Sequence, residues 1–170
     1  MKRYVLAVLV AFIVAHAPWR LALLTATMLG VTPGLTHVTK DDSHYWQALN
    51  LERRLNELGW QVNYVRDLNI HDRVVYGMTF RDDRVIYVEE GLHWTARHAV
   101  LAHEGGHALQ PGWLTADQGE VFAEAVATLV TRNGYREHAR YLSSYKYDYL
   151  LVVVLEWRRI YRAAAWLESP

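Results

Sequence analysis

Cysteine is missing altogether from this chain of 170 residues. That excludes disulfides, thiolate metal sites and a cysteine nucleophile together. Any metal ion must then be held by histidine nitrogens and carboxylate oxygens. A charge imbalance is also missing, since eighteen basic residues face eighteen acidic ones. With no net field drawing the chain to nucleic acid, nucleic acid is not an expected partner. No internal repeat and no low-complexity tract occurs, which removes solenoids from consideration. The length suits one compact domain and is short for two.

What is present begins with an apolar leader. Lys2 and Arg3 precede an uncharged run over residues 4–17, and a second apolar stretch over residues 21–31 continues past Pro18, Trp19 and Arg20. The first run has the length of a signal-peptide core; the two together are long enough to cross a bilayer with a bend at Pro18. Residues 1–31 are therefore expected to be a membrane anchor or a signal peptide, with a helix packed on the domain as the bland alternative. Lys2 and Arg3 favour a cytoplasmic N-terminus, with the protein anchored or exported and its domain outside the cytoplasm. Residues 32–40, punctuated by proline and glycine, read as a linker, and residues 41–170 as the folded domain with a helical tail.

Within that domain, Asp42 or Ser43 can cap a helix reaching Leu58, with Tyr45, Leu49, Leu51, Leu55 and Leu58 at helical spacing and Gly59 as its stop. Three β-like segments follow at residues 60–65, 73–80 and 84–89, the last two forming a hairpin. A helix over residues 94–109 ends at Pro111-Gly112. Thr115 and Gln118 form a capping box for a helix over residues 116–132, closed by Asn133-Gly134. The chain from Tyr135 onward reads as helical. The expected class is α+β: an N-terminal helix plus a three-stranded sheet, two further helices and a helical tail.

The chemistry concentrates in His103-Glu104-Gly105-Gly106-His107. Histidines four apart on a helix project from one face a single turn apart, so both rings can reach one ion. Glu104 lies about 100° round the helix from His103, where it can reach a water on that ion without being a ligand. Zinc lowers the pKa of its bound water to about 7, and a nearby carboxylate then suffices to generate the nucleophile that attacks a carbonyl. With nine histidines and ten glutamates in the chain, such a string arises by chance in roughly 3 of 100 chains. Its place on a helix directly after a strand favours function over accident.

A catalytic zinc takes three protein ligands and keeps one position open. The next helix offers Glu120 and Glu124 on a shared face, with Asp117 a more distant option. Glu120 is preferred because it sits near that helix's start, a short connection away; Glu124 then accepts a hydrogen bond from a ligating histidine. Two adjacent glycines in a helix cost roughly 1 kcal/mol each relative to alanine, so Gly105 and Gly106 predict close approach of the helix bearing the third ligand, with a loosely packed or kinked helix as the alternative. An oxyanion donor is sought among Tyr135, His138 and Tyr141. His98 is expected to pack rather than bind, His71 and His93 to lie in turns. Trp157, Tyr161 and Trp166, interleaved with Arg158, Arg159 and Arg162, suit either a membrane surface or a packed helix with a solvated basic face.

Residues 100–109, Val-Leu-Ala-His-Glu-Gly-Gly-His-Ala-Leu, followed by Glu120-Val-Phe-Ala123-Glu124-Ala-Val-Ala127, resemble the gluzincin metallopeptidases, in particular the minigluzincins and the repressor-cleaving peptidases of mobile elements. The likeness covers residues 41–132. It implies a small zincin-like domain in which a helix and small sheet precede the motif helix, and in which the next helix supplies a glutamate ligand followed three residues later by alanine, here Ala123. It also implies that the strand at residues 84–89 is the edge along which an extended substrate aligns. The apolar leader departs from the cytosolic repressor-cleaving enzymes. The resulting expectation is a zinc-dependent peptidase acting on a peptide or protein, with His103, His107 and Glu120 as ligands and Glu104 as general base. The alternative is a non-catalytic, zinc-containing module that binds peptides on the same scaffold. Glu104 favours the enzyme, because a structural zinc has no use for a general base.

Overall fold

The structure, a computed structural model, describes residues 43–70, 73–131 and 146–169. The leader, the linker, His71 and the three oxyanion candidates lie outside the described residues. Among the described residues no helix is long and apolar enough to cross a membrane.

Helix α1 (Ser43–Glu57) buries Ala48, Leu51 and Leu55, three and four residues apart and so on one face. Gly59 ends it at φ 81°, a left-handed conformation that glycine adopts without steric cost. There the Trp60 amide donates to the Leu55 carbonyl at 3.0 Å and the Gly59 amide to that of Asn56 at 2.9 Å, which satisfies the last turn.

Strands β1 (Gln61–Val65), β2 (Asn69–Ile70), β3 (Arg73–Val74), β4 (Gly77–Phe80) and β5 (Val85–Glu89) follow. The sheet order is β1-β5-β4, with β5 parallel to β1 and antiparallel to β4; β2 and β3 form a separate two-stranded ribbon. The sheet is three-stranded and mixed, and the class is α+β as expected. Two details differ from the sequence reading. The segment at residues 73–80 is split, because β3 pairs back with β2 before the chain joins the main sheet. The strand at residues 84–89 is not an edge. Its two sides are taken by β1 and β4, and its buried Ile86 and Val88 face the helices from the middle of the sheet. The edge nearer the histidine motif is β4. Alternation along a strand reports which face is buried and carries no information on which neighbours pair with it.

Helix α2 (Trp94–Leu109) is capped by His93, whose Nδ1 accepts from the Thr95 amide at 3.4 Å, so this turn histidine is exposed and structural. Pro111 terminates α2 by pushing Gln110 into extended backbone (φ −65°, ψ 147°). Helix α3 (Ala116–Thr131) opens with the expected capping box: the Gln118 amide donates to Thr115 Oγ1 at 3.3 Å, and the Thr115 amide to Gln118 Oε1 at 3.1 Å. Every residue from 121 to 130 is buried, because α3 lies between α2 and helix α4 (Lys146–Glu168). Helix α4 contributes Val152, Val153, Ile160, Ala163, Ala164 and Leu167 to the core and leaves Arg158, Arg159 and Arg162 exposed. Leu155, Trp157 and Tyr161 are exposed on the same helix.

Candidate metal centre

His103 and His107 stand one turn apart on α2, ring centroids 4.8 Å apart and nearly perpendicular, with their Nε2 atoms 3.1 Å from each other. Glu120, on the second turn of α3, reaches both: Oε2 lies 3.4 Å from His103 Nε2 and Oε1 3.4 Å from His107 Nε2. One ligand atom from each of the three residues lies within 4.8 Å of the others, so this group can hold a metal ion. The outward nitrogens are held as well. His103 Nδ1 lies 3.1 Å from Glu124 Oε2, and His107 Nδ1 lies 3.0 Å from Gln110 Oε1. Both Nδ1 atoms thus face an oxygen that can accept from them, while both Nε2 atoms are turned to Glu120. Of the two glutamates, Glu120 is the one grouped with both Nε2 atoms, and Glu124 lies against the outer nitrogen of His103.

Two helix contacts create this geometry. Gly106 lies against the backbone of Ala123: a Cβ on it would sit 2.5 Å from Ala123 Cα, so glycine is what lets α3 close on α2. This is the close approach that the paired glycines predict. Gly105 does something else, facing Leu167 of α4 and Leu55 of α1. The connection between α2 and α3 is short, and the capping box sets where α3 begins, one turn before Glu120.

Glu104, buried at 6% exposure, turns away from Gly105 toward the sheet. The Thr79 hydroxyl of β4 donates to its Oε2 at 2.7 Å, and Gly77, two residues earlier on the same strand, makes room: a Cβ there would be 2.6 Å from Oε1. Sequence reasoning missed Thr79, Gly77, Gln110 and Gly119. Gln110 had a signal, a polar side chain at the end of α2 three residues after His107; Thr79 had none.

Burial alone would lower the pKa of His103, but hydrogen bonds to Glu120 and Glu124 and the charges of Glu104 and Glu124 outweigh it, and the ring is pushed up to about 10. Burial likewise would raise Glu120; its hydrogen bonds to His103 and His107, and their charges, hold its carboxyl well below the usual carboxylate range. Three carboxylates thus surround two imidazoles in one partly exposed spot. Such a cluster requires positive charge, as a proton or as a cation. The exposures, 18% and 16% for the histidine side chains and 36% for Glu120, leave access from solvent.

No protein-family model, curated protein or solved structure matches the chain. The centre is therefore read from its own chemistry. Two imidazole nitrogens and a carboxylate oxygen are donors that a divalent metal ion accepts, and both rings carry outward contacts of the kind that orient metal-bound histidines. His98, on the same helix, takes no part in the cluster. It is buried at 4% exposure, with its ring centroid 5.7 Å from that of His44, and burial together with the neighbouring His44 pushes its pKa down to about 4.

Proposed function

We propose that the chain is a zinc-dependent peptidase of gluzincin type, in which His103, His107 and Glu120 hold the zinc ion and Glu104 is the general base. The observation that carries this reading is the convergence of three donor atoms beside a buried glutamate that is not among them. Zinc, when bound, acidifies a coordinated water and polarises the carbonyl to be attacked. Glu104 accepts the proton of the attacking water and delivers it to the leaving amine. Thr79 donates to Oε2 and so holds the Glu104 carboxylate in place. The substrate class is a peptide in extended conformation, added along the outer edge of β4, the strand that Gly77 and Thr79 tie to Glu104. The apolar leader would hold the enzyme at a membrane or direct its export.

Zinc stoichiometry, measured together with cleavage of a broad peptide library by wild type and Glu104→Gln, tests the reading. One zinc per chain in both proteins, with cleavage by wild type alone, is expected. A zinc-loaded wild type that leaves the library intact would instead favour the peptide-binding module.

A further inference from the structure

Gln110 has three separate restraints on it. Pro111 sets its backbone in the extended region. Its carbonyl accepts from Arg81 Nη2, in the turn between β4 and β5, at 2.7 Å. Its side chain returns to His107, where Oε1, an acceptor, lies 3.0 Å from Nδ1. The space for that side chain is provided by α3: a Cβ on Gly119 would lie 2.7 Å from Gln110 Oε1 and 3.0 Å from Nε2. Gly119 immediately precedes Glu120, so the residue that admits the Gln110 amide adjoins the third member of the cluster.

We infer that Gln110 and Gly119 form a positioning pair for the metal centre: Gln110 fixes His107 as its Nδ1–H tautomer with Nε2 free to bind, and Gly119 is glycine so that the amide fits. The inference rests on the metal-centre reading above. The centre is then asymmetric. His103 is backed by a carboxylate, Glu124, which raises the ring's basicity, whereas His107 is backed by a neutral amide that orients the ring without adding charge. A Cβ at position 119 meets only the far end of a flexible side chain. Gly119→Ala should therefore fold normally, and even gain helix propensity, while expelling Gln110 from His107.

Three measurements on the full chain test this in wild type, Gln110→Ala, Gln110→Glu and Gly119→Ala. They are zinc affinity by competition with a chromophoric chelator, the thermal midpoint after chelator treatment, and the tautomer of His107 from its ring ¹⁵N resonances. Gln110→Ala and Gly119→Ala should bind zinc roughly ten- to a hundredfold more weakly, as loss of an outer partner to a ligating histidine does. Gln110→Glu, which keeps an acceptor, should stay within a few-fold of wild type. The chelator-treated midpoint of Gly119→Ala should be no lower than wild type, and in both alanine variants His107 should lose its uniform Nδ1–H form. Wild-type zinc affinity in either alanine variant, or weakening that tracks a lowered midpoint while the tautomer is unchanged, would overturn the inference. Should wild type itself take up no zinc, the metal reading fails, and the ring resonances alone decide whether Gln110 sets the tautomer.

Discussion

Thr79 and Glu104 come from separate elements, and their contact joins the sheet to the motif helix. The hydroxyl meets Oε2 at 2.7 Å and also lies 3.2 Å from the Glu104 carbonyl, so the edge strand is tied to both side chain and backbone of that residue. A hydrogen bond to a charged group contributes roughly 1.5–3 kcal/mol, most of which is lost when a buried carboxylate is left without its donor. Thr79→Val should therefore retain zinc at wild-type stoichiometry and cut peptide cleavage roughly ten- to a hundredfold. Thr79→Ser, which keeps the hydroxyl, should restore most of the rate. Equal cleavage by the valine variant would mean that Glu104 needs no help from β4. Loss of zinc in Thr79→Val would place the residue in support of the cluster instead.

At the scale of elements, the separation between α2 and α3 decides whether Glu120 reaches the histidines. The two glycines of the motif make a paired test. A Cβ on Gly106 meets backbone, 2.5 Å from Ala123 Cα and 2.9 Å from its carbonyl oxygen, which cannot give way without moving a helix. A Cβ on Gly105 meets the end of the Leu167 side chain at 3.1 Å, and that side chain can rotate. Gly106→Ala should therefore destabilise by about 1–3 kcal/mol, as overpacking does, and weaken zinc binding by displacing Glu120. Gly105→Ala should stay near wild type, because a small repacking cost is set against about 1 kcal/mol of helix propensity. Thermal midpoints and chelator competition on the two variants check this; equal loss in both would remove the helix-approach account. The order of the helices and of the main-sheet strands was legible in the sequence, because capping residues, Gly59 and Pro111 act locally on their own neighbours; the β2–β3 ribbon was not. The pairing of β5 on both sides was not legible, since strand partners are chosen by tertiary packing.

For the molecule as a whole, acid sensitivity has a location away from the cluster. His98 on α2 and His44 on α1 face each other in the packing between those helices, and the Nδ1 atoms of both are buried with no hydrogen-bond partner. The folded-state pKa of His98 is about 4 against an ordinary 6.5, so between those values the unfolded chain binds a proton that the folded chain refuses. The associated stability is complete above about pH 6.5 and is lost as pH falls toward 4, amounting to on the order of 3 kcal/mol. Urea unfolding of wild type should show that loss across this window, and His98→Leu should flatten it. An unchanged pH profile in the leucine variant would assign the acid lability elsewhere.

The sequence by itself determined the helices at residues 43–57, 94–109 and 116–131 to within a residue or two, and the five-residue motif that puts two imidazoles on one helix face with Glu104 beside them. These features depend on spacing and on backbone chemistry within a few residues. It narrowed the third ligand to a short helix segment and predicted a close neighbour from two glycines. Only the tertiary structure brought Glu120 to both Nε2 atoms and sent Glu124 to the outer nitrogen of His103. It also put Thr79 on Glu104, Gln110 on His107 and β5 between two strands. Each of these contacts depends on how far apart elements come to rest, a distance set by side-chain volume on both sides of the interface, as at Gly106 and Ala123, of which the local sequence shows one side at a time.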